Sequence, residues 1–114
     1  EQGFKLVITT DHGMVYVKKP SQVVGDRETS TNIRYKTGKS LTYDEKDVWA
    51  ITNPEKLFLP KGNLSSKYIF AKNNIFLAYP KNYNHFVNYY KDTYQHGGIS
   101  LEEIIIPISI LEPK

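Results

Sequence analysis

Hydrophobic and polar positions along this chain predict many short strands and few helices. Phe4-Lys5-Leu6-Val7-Ile8-Thr9-Thr10 is apolar and β-branched without alternation. That is the pattern of a strand buried on both faces of a parallel sheet. Met14-Val15-Tyr16-Val17 predicts a second short strand, which Lys18-Lys19-Pro20-Ser21 breaks. From Val24 to Lys39 polar residues dominate without apolar periodicity, predicting a long loop of the kind that often carries function. Asp44-Glu45-Lys46-Asp47 precedes Val48-Trp49-Ala50-Ile51. This reads as a short helix with an acidic first turn or, in better accord with the pattern, as a turn followed by a strand. Asn53-Pro54 ends it, and Leu57 to Asn63 is a loop with apolar anchors.

The second half carries clearer local signals. Tyr68 to Lys72 and Ile75 to Tyr79 flank Asn73-Asn74, which predicts a β-hairpin, because Asn tolerates the positive φ its turn requires. Tyr83, Phe86, Val87, Tyr90 and Tyr94 recur at helical spacing, so a short helix is expected there. His85 lies within it, where a single histidine reads as structural. Ser100 and Glu103 have capping-box spacing and start a helical turn. Ile104 to Leu111 then reads as a strand, with Pro107 marking an edge or a bulge.

The 114 residues suffice for one small domain, which buries roughly two-thirds of its unfolded surface. At 39% hydrophobic and 24% charged, the composition is that of an ordinary globular chain. A net charge of +3 suits a phosphate-bearing partner but not a dedicated or sequence-specific nucleic-acid binder. The absence of cysteine excludes disulfides and thiolate metal sites, so any metal must be held by His, Asp or Glu. No signal peptide or apolar run of about 18 residues appears, so a membrane role is not expected and the cytoplasm is favoured. The chain opens at Glu1 within an incoming strand and without Met, so it is expected to be part of a longer protein.

Two histidine–glycine corners carry the candidate chemistry. The first strand ends in Asp11-His12-Gly13, and His96-Gly97-Gly98 comes after the aromatic helix. Asp and His donors together suit Zn²⁺ or Mn²⁺. A histidine that only caps a strand end and bonds a turn is the alternative for His12. If the fold joins the corners, Asp11, His12 and His96 supply three ligands, too few for two ions. In the polar loop, Arg27, Arg34, Lys36 and Lys39 form a candidate anion-facing edge, with Arg suited to bidentate phosphate contacts. The competing reading is a solvated loop in which Asp26, Arg27 and Glu28 pair locally.

Val7-Ile8-Thr9-Thr10-Asp11-His12-Gly13 and His96-Gly97-Gly98-Ile99-Ser100-Leu101-Glu102-Glu103-Ile104-Ile105-Ile106-Pro107 resemble the paired signatures of the PglZ domain, in the alkaline-phosphatase superfamily. The stretches Val24 to Lys36, Ser66 to Lys72 and Tyr89 to Gly98 are similar to PorX-type response regulators of Bacteroidetes. Those proteins join a receiver domain and a helical segment to a C-terminal PglZ domain, and are associated with control of type IX secretion. The resemblance covers nearly the whole chain. It implies an α/β fold: residues 1–114 form the C-terminal portion of one alkaline-phosphatase-like domain, strand-rich, with a hairpin and few short helices. It implies zinc as cofactor, two ions in the intact domain, with Asp11 and His12 on one and His96 on the other. The family's Thr nucleophile and remaining ligands precede Asp-His-Gly, so Thr9 and Thr10 do not take that role, and the chain alone is expected to be inactive. The implied activity is two-metal hydrolysis of phosphodiesters, oligonucleotides among them, with Arg27, Arg34 and Lys36 as candidate substrate contacts and an upstream receiver domain as partner. The alternative is a signalling domain kept for protein contacts around a vestigial metal site.

Overall fold

The computed structural model describes residues 3–26, 29–60, 62 and 65–113. In order run β1 (Leu6–Thr9), β2 (Val15–Val17), β3 (Lys19–Gln22), β4 (Val24–Gly25), β5 (Tyr35–Gly38), β6 (Leu41–Thr42) and β7 (Val48–Ile51). A 3-10 turn (Pro54–Leu57), β8 (Lys67–Ala71), β9 (Ile75–Ala78), α1 (Tyr83–Tyr90), β10 (Thr93–Gln95), α2 (Leu101–Ile104) and β11 (Ile108–Leu111) complete the order. The strands pair as β1–β11, β2–β10, β3–β9 and β4–β6, with β5–β8–β7 as a three-stranded sheet. The expected strand-rich character with little helix is present.

The core is built on β9, whose four residues are all buried. Side chains alternate across a strand, so Ile75 and Leu77 join Val23, Val48, Ile69 and Ala71 on one side. Phe76 faces the other way, onto Val15 and Val17, closed over by Ile33, Val87 and Tyr90. β9 runs parallel to β3, from Lys19↔Ile75 to Gln22↔Ala78. The helix-spaced residues Tyr83 to Tyr90 do form α1, which covers this second cluster with Val87 and Tyr90, whereas Tyr94 belongs to β10. Val48 to Ile51 is a strand behind a turn, the second of the two readings of that segment.

Four expectations are corrected. β1 is not buried in a parallel sheet: it pairs antiparallel with β11, and all four of its residues are exposed. A continuous apolar run reports that both faces can be buried; the described chain places no layer over either. The two-sided burial belongs instead to β9. Second, β8 and β9 do not form a hairpin. Asn73 has a positive φ of 45°, but Asn74 is not among the residues with positive φ, whereas the tight hairpin turn needs it at both central positions. Both edges of β8 are also taken, by β5 and β7, so the chain arches from one sheet to another. Third, β2 does end at Val17 as expected, but Lys19 to Gln22 is not merely a break: it forms β3, with Pro20 tolerated at the edge of a two-stranded pair. Fourth, the stretch from Val24 to Lys39 is not all loop: Tyr35–Gly38 is β5, paired with β8.

Candidate functional site

Register brings the two histidine corners together. β2 and β10 are antiparallel with Val15↔Gln95 at one end, so the chain entering β2 and the chain leaving β10 emerge side by side. At the same place β1 ends and β11 begins, paired at Thr9↔Ile108. Four strand ends thus meet, with α2 between them. His12 and His96 stack there, ring centroids 3.7 Å apart and planes 12° from parallel.

Local bonds orient the first corner. Thr10 Oγ1 donates to the His12 carbonyl at 3.1 Å, and Thr9 Oγ1 to the Pro107 carbonyl at 2.9 Å. Both hydroxyls therefore brace the turn. His12 Nδ1 lies 2.8 Å from the Gly13 carbonyl. A carbonyl can only accept, so Nδ1 carries a proton and, in the neutral ring, Nε2 keeps its lone pair. Asp11 Oδ1 stands 3.5 Å from that Nε2 and accepts from Thr10 Oγ1 at 3.4 Å, with its side chain 85% exposed. His96 is exposed as well.

A residue marked in the sequence only as a helix cap ties the corners to each other. The Glu103 backbone carbonyl accepts the Gly13 N–H at 3.0 Å. Its carboxylate accepts the Gly98 N–H at 2.9 Å and the Ser100 N–H at 3.2 Å. The same carboxylate is gripped by Arg34, whose Nε and Nη2 donate to Oε1 at 2.8 Å and Oε2 at 3.0 Å. Arg34 in turn donates to the carbonyls of Ile75 and Ala71, anchoring the brace to β9 and β8. Both side chains are essentially fully buried. Burial pushes the Glu103 carboxyl up, but the bonds and charge of Arg34, with Gly98 and Ser100, outweigh this and hold it below the usual carboxylate range. Capping-box spacing marks Glu103 in the sequence; nothing local marks a partner 69 positions away.

Two glycines are required by this geometry. A Cβ at Gly13 would overlap the Glu102 carbonyl oxygen, so only glycine lets the first corner reach α2. Gly97 has φ +100°, and a Cβ there would meet the Asn32 amide at 2.6 Å.

Of the predicted anion-facing edge, Lys39 is the member that is described and exposed. Arg34, just before β5, and Lys36, within it, are both buried, at 0% and 1% exposure. Arg34 is committed to Glu103, and Lys36 Nζ lies 4.1 Å from the Tyr79 ring centroid. Arg27 lies outside the described residues. The donor set of Asp11, His12 and His96 has the oxygen and nitrogen chemistry that suits zinc. Among the described residues, however, no three His, Asp or Glu side chains converge on one point to hold an ion unaided. Two facing rings and one carboxylate make a corner of a site, not a closed cage.

The class of the chain comes from its family: an alkaline-phosphatase-like domain. Residues 1–110 match the family described as the BREX system PglZ alkaline phosphatase-like domain, and the chain belongs to that family. Its superfamily is of phosphoesterase type. No curated protein matches the chain. No helix among the described residues is long and apolar enough to cross a membrane.

Proposed function

We propose that this chain supplies one wall of a two-zinc phosphodiesterase site, with Asp11 and His12 on one ion and His96 on the other. The observation that carries the reading is the His12–His96 stack. Rings stacked at 3.7 Å keep their in-plane lone pairs in nearly parallel planes. That separation matches the ~3.5–4 Å between ions in two-metal sites, a reason for each ring to serve its own ion. His12 presents Nε2 because Nδ1 is held by the Gly13 carbonyl, and such a bond fixes the tautomer of a ligating histidine. Zinc bound there supplies Lewis acidity toward phosphoryl oxygens. The chain's own part is to fix the two donors relative to each other through Glu103 and Arg34. The Thr nucleophile and the remaining ligands are supplied by residues outside this chain, as the family resemblance implies. The similarity to PorX-type regulators supports an effector role behind a receiver domain, in type IX secretion control, with oligonucleotide phosphodiesters as the substrate class.

A second reading, a contact domain with a vestigial metal site, is favoured by the exposed apolar ribbon of β1 and β11. One experiment separates the two. Zinc content and hydrolysis of bis-p-nitrophenyl phosphate and short oligonucleotides are measured for the full-length protein and its His12→Ala and His96→Ala forms. The enzyme reading expects bound zinc and an activity that each substitution abolishes. Absence of both from the unsubstituted protein leaves the contact domain.

A further inference from the structure

Beneath α1 lies a cavity of about 250 Å³ walled by Ile33, Leu77, Phe86 and Tyr90, with Tyr79 and Lys36 at its polar end. None of Asp11, His12 or His96 lines it, so the cavity stands apart from the hydrolase reading. The walls are apolar, yet an ammonium group is delivered among them from β5. Lys36 is 1% exposed. Its Nζ has the face of the Tyr79 ring at 4.1 Å and, among the described residues, no hydrogen-bond acceptor and no carboxylate. Tyr79 is not its counter-ion: the phenol donates to the Ser30 carbonyl at 2.6 Å, and burial raises its pKa further, so it stays neutral. Asp26 lines the adjoining outer cleft that shares Tyr79 and Phe86. It is engaged by Thr29 Oγ1 at 3.2 Å and the Ser40 N–H at 3.3 Å. A buried ammonium offset only by a ring face is under-compensated, and the missing element is one negative charge. Burial alone brings Lys36 down to about 8, which is the mark of that deficit.

We propose that this cavity is a binding site for a small amphipathic carboxylate, its apolar body against Ile33, Leu77, Phe86 and Tyr90 and its carboxylate on Lys36 Nζ. Size and charge define the class. At ~30 Å³ per water-sized unit the space takes roughly eight to ten heavy atoms. One ammonium balances one monoanion, whereas a phosphate dianion brings more charge and more oxygens than the single Lys36 head can satisfy. The outer cleft of about 610 Å³ offers the way in, past Tyr79 and Phe86.

The test titrates the chain with benzoate and hexanoate, with the neutral counterparts benzyl alcohol and hexanol, and with inorganic phosphate. Binding is read by NMR on the Ile33 and Leu77 methyls and on the Lys36 ε-carbon. The carboxylates are expected to saturate these signals and to bind at least about tenfold tighter than their neutral counterparts, as a hydrogen bond to a charged group does. The bound form should also raise the Lys36 pKa above its free value. Lys36→Met should erase the tenfold preference, while Lys91→Met on the surface keeps it. Because Lys36→Met could disturb packing, the unsubstituted chain is also compared at pH 7 and pH 10: neutral Lys36 at pH 10 must lose the preference. Equal binding of neutral and anionic probes, preference for phosphate, or no saturable shift at these methyls would each overturn the assignment.

Discussion

Glu103 is the residue on which both corners depend, since its carbonyl holds Gly13 and its carboxylate holds Gly98. It is also a buried charge with one cationic partner, Arg34. Arg34→Met removes that partner and leaves the carboxylate unpaired, with an expected loss of about 3–5 kcal/mol in urea denaturation. The pH dependence has a definite sign. The folded-state pKa of Glu103 is depressed, so its contribution is present above the unfolded carboxyl range and is lost as pH falls through the folded value. Acid unfolding that is unchanged in Glu103→Gln would contradict this. Lys36 shares that sign but not its cause: here burial of an unpaired charge lowers the pKa from 10.5 to about 8. Between those values the unfolded chain binds the extra proton, so stability rises with pH across that window. Below it, the buried charge costs at most about 3 kcal/mol. The difference in stability between the unsubstituted chain and Lys36→Met should therefore shift in favour of the former as pH climbs from 8 to 10.5. A flat difference would mean that Lys36 is solvated.

Among the elements, two apolar strands with similar sequence patterns play unlike parts. β9 is buried on both faces and joins two clusters, and β1 is exposed along its length. Phe76→Ala should cost about 3–5 kcal/mol, whereas Ile8→Ala, at a side chain 53% exposed, should stay within about 1 kcal/mol. Thermal or urea melts of the two variants check the contrast, and equal losses would place the core elsewhere. Gly13→Ala tests the meeting of elements instead. Its Cβ has no room beside the Glu102 carbonyl, so the first corner must move away from α2. The expected signature is loss of the close contact between His12 and His96 ring protons, with the β9 core signals retained.

The whole molecule is extended, with a radius of gyration of 17.7 Å and extents of 58 × 35 × 23 Å. A compact domain of about 100 residues has a radius near 13 Å. The excess agrees with the β1–β11 ribbon, whose residues are all exposed, and with the exposed Leu101, Ile104 and Ile105 beside it. The candidate ligands lie on this thin end, and three donors do not enclose an ion there. Calorimetric titration of the isolated chain should accordingly give weak Zn²⁺ binding without a stoichiometric tight site. Tight binding at one equivalent would mean that the corner is more complete than its geometry indicates.

Much of the site was legible in one dimension because its cues are local. Asp11-His12-Gly13 and His96-Gly97-Gly98 are short, chemically distinct, and carry glycines where the backbone must turn or approach closely. The helix spacing of Tyr83 to Tyr90 and the Ser100–Glu103 cap are likewise local, and both elements formed. Expectations that depended on distant partners failed. Asn73-Asn74 looks like a hairpin turn until β5 and β7 occupy both edges of β8. Arg34 and Lys36 look like free cations in a polar stretch until the start of β5 and the bend before it carry them inside, one to Glu103 and one into an apolar cavity. The residue chemistry of the two corners and the short elements beside them were already set in the linear chain, since propensity, capping and turn strain act over a few residues. That the corners meet, that Glu103 and Arg34 hold them, and which apolar strand is buried were settled in three dimensions, because pairing register and burial are properties of segments far apart in the chain.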